Sequence, residues 1–349
     1  MKRLNKSLGN IALTVGSCVG VGFVSGKEPQ FFVGSNGLIF AAVFLFCVLV
    51  TRKFCKLSGA HTLAELCDKA FGKVGAAANY ILTACNFVCL SALAIGAEKC
   101  LSLLLHLSDL PLYAVILCFF AAILLKSKMN TLKIFNGIGI AFAIVWLIVA
   151  ATQNTRNTAT TEAVTPVKTI LYAVFCVTTS LSVNVRLSAE PPLKTTAISS
   201  AVLSAMLVVA ANSATQNNAF PLLPSEGHTA TKILAAITVA ICSATGLACN
   251  AMPIDDFLHS ALPDDCLRLF VIFALTMALS LVGVDSLMRY GYVFVALLGT
   301  LLTATLFAAL LAHKFGKIPN RSKSESRIRQ TNSNRNKSKT QSQIIRENP

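Results

Sequence analysis

Apolar runs of roughly 17 to 25 residues, the length that crosses ~30 Å of hydrocarbon, recur ten times along this chain of 349 residues. They cover about Leu8–Phe32, Gly37–Phe54, Val74–Leu107, Leu110–Leu125, Leu132–Thr152, Val167–Leu187, Thr195–Asn212, Thr229–Ile254, Cys266–Val284 and Ser286–His313. Such runs must satisfy their backbone groups internally, so the chain is expected to fold as a bundle of helices in a bilayer. Composition agrees: 54% of residues are hydrophobic and 13% charged, against roughly 25% charged in soluble domains.

Lysine and arginine orient the runs. With the N-terminus inside, cytoplasmic segments hold 24 of the 30 basic residues, and outer segments hold Lys27, Lys99, Arg156, Lys168, Lys232 and Arg289. Both termini are therefore expected in the cytoplasm of a multi-pass cell-membrane protein. The basic start has the outline of a signal peptide, but its apolar run is too long and meets Lys27-Glu28-Pro29 in place of a small-residue cleavage site. It is read as the first span. The net charge of +15 is mainly topological, and no nucleic-acid partner is expected. Residues 314–349 carry ten basic and two acidic groups without periodic apolar residues, so this tail is expected to be disordered, with anionic lipid head groups as its plainest partner.

No catalytic constellation is found. Cys18, Cys47, Cys85, Cys89, Cys118, Cys176, Cys242 and Cys249 all lie inside the runs, where cysteine serves as a small apolar side chain, and no C-x-x-C pair occurs. The loop IDDFLHSALPDDC, with Asp255, Asp256, His259, Asp264 and Asp265, reads as a solvated cytoplasmic loop before it reads as a divalent-ion site. H-E-x-x-H and G-x-S-x-G are absent, so an enzyme is not expected.

The first run contains VGSCVGVGFVSGKEPQFF, with Gly16, Gly20, Gly22 and Gly26. Gly16 with Gly20, and Gly22 with Gly26, form G-x-x-x-G pairs that allow close helix contact. That reading does not account for Gly20 and Gly22, which face different sides of a helix. The other reading is a break over Cys18 to Gly22, tolerated at bilayer depth only where it is buried or lines a cavity. A half-helix starting near Gly22 would then aim its positive end at an anion. Carbonyls freed around Gly16 and Val19 would face a cation, and Ser17, Gly20, Val21, Gly22 and Phe23 become candidate substrate residues.

Such a break calls for a counterpart in an inverted second half. Ten runs divide as five plus five, about 8–152 and 167–313, which pairs the first run with the sixth. The centre of the sixth, Thr178-Thr179-Ser180-Leu181-Ser182-Val183-Asn184, is the most polar stretch inside any run. Thr178, Thr179, Ser180 and Ser182 either face a ligand or form a packing surface. Gly20 precedes Glu28-Pro29 by eight residues, and Ser182 precedes Glu190-Pro191 by eight.

Val19 to Phe32 resembles the G-A-G-F-A-S-G-x-E signature of the YkvI-like membrane proteins, among the amino acid/polyamine/cation transporters of LeuT type. Gly16 to Phe23, G-S-C-V-G-V-G-F, is similar to the G-N-A-V-G-L-G-N of neurotransmitter:sodium symporters. The resemblance implies an all-α membrane protein of ten helices in a 5+5 inverted repeat, with helices 1 and 6 broken. It also implies that the carbonyls of Gly16 and Val19 hold a sodium ion with hydroxyls midway along the eighth run, here Ser243 and Thr245; oxygen ligands suit that hard cation. Phe23 stands where the symporters have an asparagine ligand for another sodium. Cys176, four residues after Tyr172, stands where the YkvI-like pattern has an asparagine.

Three side chains keep two or more readings. Tyr172 is a lid over the ligand or an aromatic-belt residue. Asn86 lines the pocket or bonds a neighbouring helix. Glu28 carries a coupling proton at a gate, pairs with Lys27, or caps the outer loop. The expected function is secondary transport of a small zwitterionic or organic, amino-acid-like solute by sodium or proton symport, with no other cofactor or metal. A sensor or scaffold that keeps the fold without transporting is the alternative. A channel would need a continuous polar lining that these runs do not supply.

Overall fold

The computed structural model describes residues 2–105, 111–154, 164–188, 192–214, 220–224, 229–280 and 290–314. The basic tail, Glu190-Pro191 and Arg289 lie outside them. The chain divides at Leu306, and beyond it the described residues continue a single helix.

Regular structure among the described residues is helical throughout, as lipid demands. The helices are α1 (Lys2–Gly16), α2 (Val21–Val24), α3 (Gly37–Ser58), α4 (Leu63–Phe71), α5 (Gly75–Leu105), α6 (Leu112–Lys126), α7 (Met129–Asn154), α8 (Pro166–Thr179), α9 (Leu181–Arg186), α10 (Pro192–Ser213), α11 (Thr229–Leu258), α12 (Asp265–Ser280) and α13 (Tyr292–Lys314), with a π-helical turn at Pro29–Val33. Among the described residues six helical stretches are long and apolar enough to cross a membrane: Gly37–Ser58, Leu63–Leu105, Met129–Gln153, Leu193–Ser213, Thr229–Leu258 and Tyr292–Ala312. Ser7–Gly16, Leu112–Lys126 and Pro166–Thr179 are shorter apolar helices. Phe119, Phe270 and Leu301 point outward, 66%, 71% and 61% exposed. Such a surface suits hydrocarbon and would aggregate in water. The chain is a multi-pass membrane protein.

α11 is the central post. It runs against α5, α6 and α7, while α3 lies between α8 and α10, and α1 lies between α7 and α10. Trp146 of α7 is fully buried and donates Nε1–H to the Val24 carbonyl at 3.2 Å. That bond ties the short α2 to the scaffold.

The two polar or glycine-rich runs behave differently. After Gly16 the chain leaves the helix over Ser17–Gly20, and α2 is one turn long. The half-helix expected to hold an anion is thus too short to sum its peptide dipoles. Gly26 then turns the chain at φ 81°, with Leu222 stacked where a side chain would stand. The sixth run is interrupted at the single residue Ser180, where α8 ends and α9 begins: Ser180 N donates to Cys176 O and Asn184 N to Ser180 O, closing the two helices on either side. Thr179 Oγ1 and Ser180 Oγ both donate to Cys176 O, at 3.1 and 2.7 Å, so hydroxyls take up a carbonyl at the end of α8.

Candidate functional site

Opened α1 and the end of α8 meet across a buried cavity of about 30 Å³, lined by Ser17, Cys18, Gly20 and Glu28, Cys89 and Leu93 of α5, Phe175 and Thr179 of α8, Gly246 and Asn250 of α11, and Tyr292 of α13. One water would fill it. Cys18 Sγ lies 3.6 Å from the Cys176 carbonyl, which joins the two interrupted runs directly.

Glu28 forms one wall. It is 5% exposed, and its two oxygens accept from Tyr172 (Oε2, 2.7 Å) and Tyr292 (Oε1, 2.8 Å). The tyrosines belong to an aromatic stack: Phe32 lies 4° from parallel with Tyr172 at 5.1 Å, and Phe175 packs on Tyr292 at 4.1 Å. Beyond Phe175 and Tyr292 lies a second compartment of about 160 Å³, lined also by Phe31, Phe32, Lys168 and Tyr172. Gly22 is required by close approach, because a methyl group there would overlap the Glu28 carboxylate. Tyr172 is buried and bonded to Glu28, so it does not face lipid.

Around the open end of α1 stands an acceptor-rich wall, of which Asn250 lines the cavity itself. Among the described residues no backbone amide donates to the carbonyls of Gly16 or Val19. Asn136 of α7 is fully buried and sits against Gly16, its Cγ 2.7 Å from where a methyl group would stand. Asn136 Nδ2 donates to Leu132 O at 2.9 Å, leaving Oδ1 without a donor; Asn250 Oδ1 is left in the same state while Nδ2 donates to Gly246 O. Pro253, inside α11, has no N–H for the Cys249 carbonyl. Buried acceptors rarely stay unpaired, so this concentration has the chemistry of a cation site.

The other expected residues are distributed as follows. Ser17 and Thr179 reach the cavity, whereas Thr178 turns its hydroxyl toward Gly299 of α13 and Ser180 accepts from Asn184 Nδ2 at 3.0 Å. Ser182, Val21 and Phe23 are buried beside the interruptions. Asn86 stands one turn along α5 from Cys89, with Nδ2 donating to Leu82 O and Oδ1 unpaired. Ser243 Oγ is buried without a partner, but Thr245 lies on another face of α11, donating to Ile241 O and Cys242 O and lining a membrane-facing groove. Asn136, Asn250 and Pro253 carry no sequence signal; each is an ordinary helix residue until the fold sets Asn136 beside Gly16 and Asn250 at the cavity.

Past the acceptor-rich wall, Arg52 of α3 is 2% exposed and knots four elements. It donates to Asn184 Oδ1 of α9 (3.2 and 2.9 Å), Thr196 Oγ1 of α10 (2.9 Å) and Thr14 Oγ1 of α1 (2.8 Å). Arg186 of α9 pairs with Asp256 of α11 at 2.7 Å. Asp255 and Asp265 are taken up by Lys126 and Arg268, so the acidic loop ties α6, α11 and α12 together.

Solved structures share this architecture. MhsT in complex with L-phenylalanine matches with a TM-score of 0.56 over 86% of this chain and 87% of its own, at 14% identity. The Eremococcus coleocola manganese transporter, bound to an aromatic bis-isothiourea compound, matches with a TM-score of 0.52 over 88% and 77%, again at 14% identity. The fold is that of the LeuT-type transporters. No protein-family profile and no curated protein matches the sequence. Within this fold the small cavity lies where residues of the first and sixth runs meet, with Glu28 in its wall.

Proposed function

We propose that the protein is a secondary transporter that moves a small amino-acid-like solute, zwitterionic or organic, by cation symport with alternating access. The observation that carries this reading is the opened backbone between α1 and α2, set on a small cavity shared with α5, α8 and α11. On this reading the interrupted α1/α2 and α8/α9 count as spans one and six of ten, in two inverted halves, with both termini cytoplasmic and the signature of Val19 to Phe32 placing the chain near the YkvI-like proteins. Residues 1–313 are the transport domain and 314–349 a basic tail at the inner leaflet.

The driving ion is held at the acceptor-rich wall. Gly16 and Val19 carbonyls supply two ligands, and the unpaired oxygens of Asn136 and Asn250 supply what a hard cation further needs; Ser243 is the hydroxyl of the expected pair that stays unpaired. Sodium is favoured over a proton there, because none of these oxygens belongs to a titratable group. Substrate contacts come from Ser17, Gly20, Thr179 and Tyr292, with Glu28 and its tyrosines as the outer gate.

The test is thermal stability of the detergent-purified protein against amino acids, amines and nucleobases, with and without sodium, followed by uptake in proteoliposomes. A ligand at ~100 times its dissociation constant adds ~2.7 kcal/mol. Sodium-dependent stabilisation by one solute class and its accumulation down a sodium gradient are expected. Stabilisation without accumulation would instead mark a sensor on a transporter fold.

A further inference from the structure

The cavity has one formal charge on its wall. Of the eleven lining residues only Glu28 is a carboxylate, and none is lysine, arginine or histidine. The tyrosines that bond Glu28 are neutral donors and occupy two of the carboxylate's roughly four acceptor positions. Among the described residues no ion pair includes it. A buried carboxylate without a cation is costly. Beside it stand the rings of Phe175 and Tyr292, stacked on each other at 4.1 Å, an apolar boundary that suits the hydrocarbon body of a solute.

A zwitterion would also need a partner for its carboxylate. The one-turn α2 offers no developed dipole and Phe23 no side-chain amide, which leaves only neutral peptide N–H groups at the start of α2. Lys168 is a candidate cation, but it lines only the outer compartment, where its Nζ lies 4.5 Å from the centre of the Phe31 ring.

We propose that the transported solute is an organic amine without a carboxylate, its ammonium seated on Glu28 and its apolar body enclosed by Phe175, Tyr292 and Phe32. This rests on the transporter reading above and narrows it. Phe175 and Tyr292 line both compartments, so a turn of these two rings joins the 30 Å³ cavity to the 160 Å³ one. A cavity of about 150 Å³ accepts a single aromatic ring, which sets the scale of the solute.

The experiment uses the full chain in detergent and in proteoliposomes, with 2-phenylethylamine and 3-methylbutylamine set against phenylalanine and leucine, which add only the carboxylate. Both amines are expected to raise the melting temperature, and the amino acids to do so at least tenfold more weakly in concentration. Glu28→Gln should lower amine affinity roughly 30-fold or more, the loss typical of truncating one side of a buried charge pair. Glu28→Asp keeps the carboxylate and should lose less amine affinity than Glu28→Gln, and the comparison of amines with amino acids on the unchanged chain covers the case of a Glu28 variant that fails to fold. Stabilisation by the amino acids alone would overturn the proposal and assign the carboxylate to Lys168, leaving the transporter reading intact. Stabilisation by acid alone would overturn it in favour of a proton on Glu28. If no solute or ion changed either stability or maleimide labelling of Cys18, the transporter reading would fail together with the proposal.

Discussion

Gly22→Ala is the smallest change that tests the geometry of the Glu28 wall. The added methyl group would fall within the van der Waals envelope of Glu28 Oε1 and Cδ, and 2.6 Å from Cγ. Glu28 cannot swing aside freely, because Tyr172 and Tyr292 hold both oxygens. Overpacking of this kind costs ~1–3 kcal/mol, and releasing one hydrogen bond to a charged group adds ~1.5–3 kcal/mol. At ~2–4 °C per kcal/mol, the conversion for chains of 150–250 residues, the melting temperature should fall by roughly 5–24 °C. The assay is a double-mutant cycle with Glu28→Ala, read by melting in detergent. Removing the carboxylate first should make Gly22→Ala nearly harmless, so the coupling should approach the single variant's whole cost of roughly 2.5–6 kcal/mol. Additive losses, or a single Gly22→Ala variant within 1–2 °C (roughly 0.5 kcal/mol) of the parent, would refute the close approach.

Gly20→Leu should abolish uptake while the protein still reaches the membrane, since even a methyl group there would lie 2.5 Å from Leu93 Cδ2 of the central helix α5; normal uptake would move the substrate site elsewhere. Asn136→Ala and Asn250→Ala should each weaken any sodium-dependent stabilisation at least tenfold, Ser243→Ala less, and Thr245→Ala little, because the Thr245 hydroxyl is already engaged on another face. Equal effects of all four would discredit the amide ligands. Asp265 is held below the ordinary aspartate value of 3.8, chiefly by its hydrogen bond from Lys126 and further by Arg268. A depressed carboxylate adds stability above its unfolded pKa and loses it as pH falls through the folded one. The melting difference between the parent and Asp265→Asn should therefore be constant at neutral pH and shrink below about pH 4, whereas a pH-independent difference would rule out the charge as its cause.

Much of this protein is legible in its sequence because lipid leaves so few options. Run lengths alone announce membrane helices, and the glycines at 16, 20 and 22 mark a backbone that opens, since side-chain-free residues weaken a helix wherever they fall. The sixth run is also interrupted, at Ser180, but hydroxyls that look ready for a ligand spend themselves on Cys176 O.

What the sequence by itself determined is therefore the solvent, the helical class and the place where the first helix gives way, all properties of local composition. Only the tertiary structure decided which side chains share that place. Asn136 lies 120 residues from Gly16 and Asn250 further still, and nothing in their neighbours says that both present an unpaired oxygen to the open end of α1. Tyr292, 264 residues from Glu28, is another such case. Helix packing joins these residues because α7, α11 and α13 crowd the opened segment, and burial then forces each polar atom to find a partner or to wait for one.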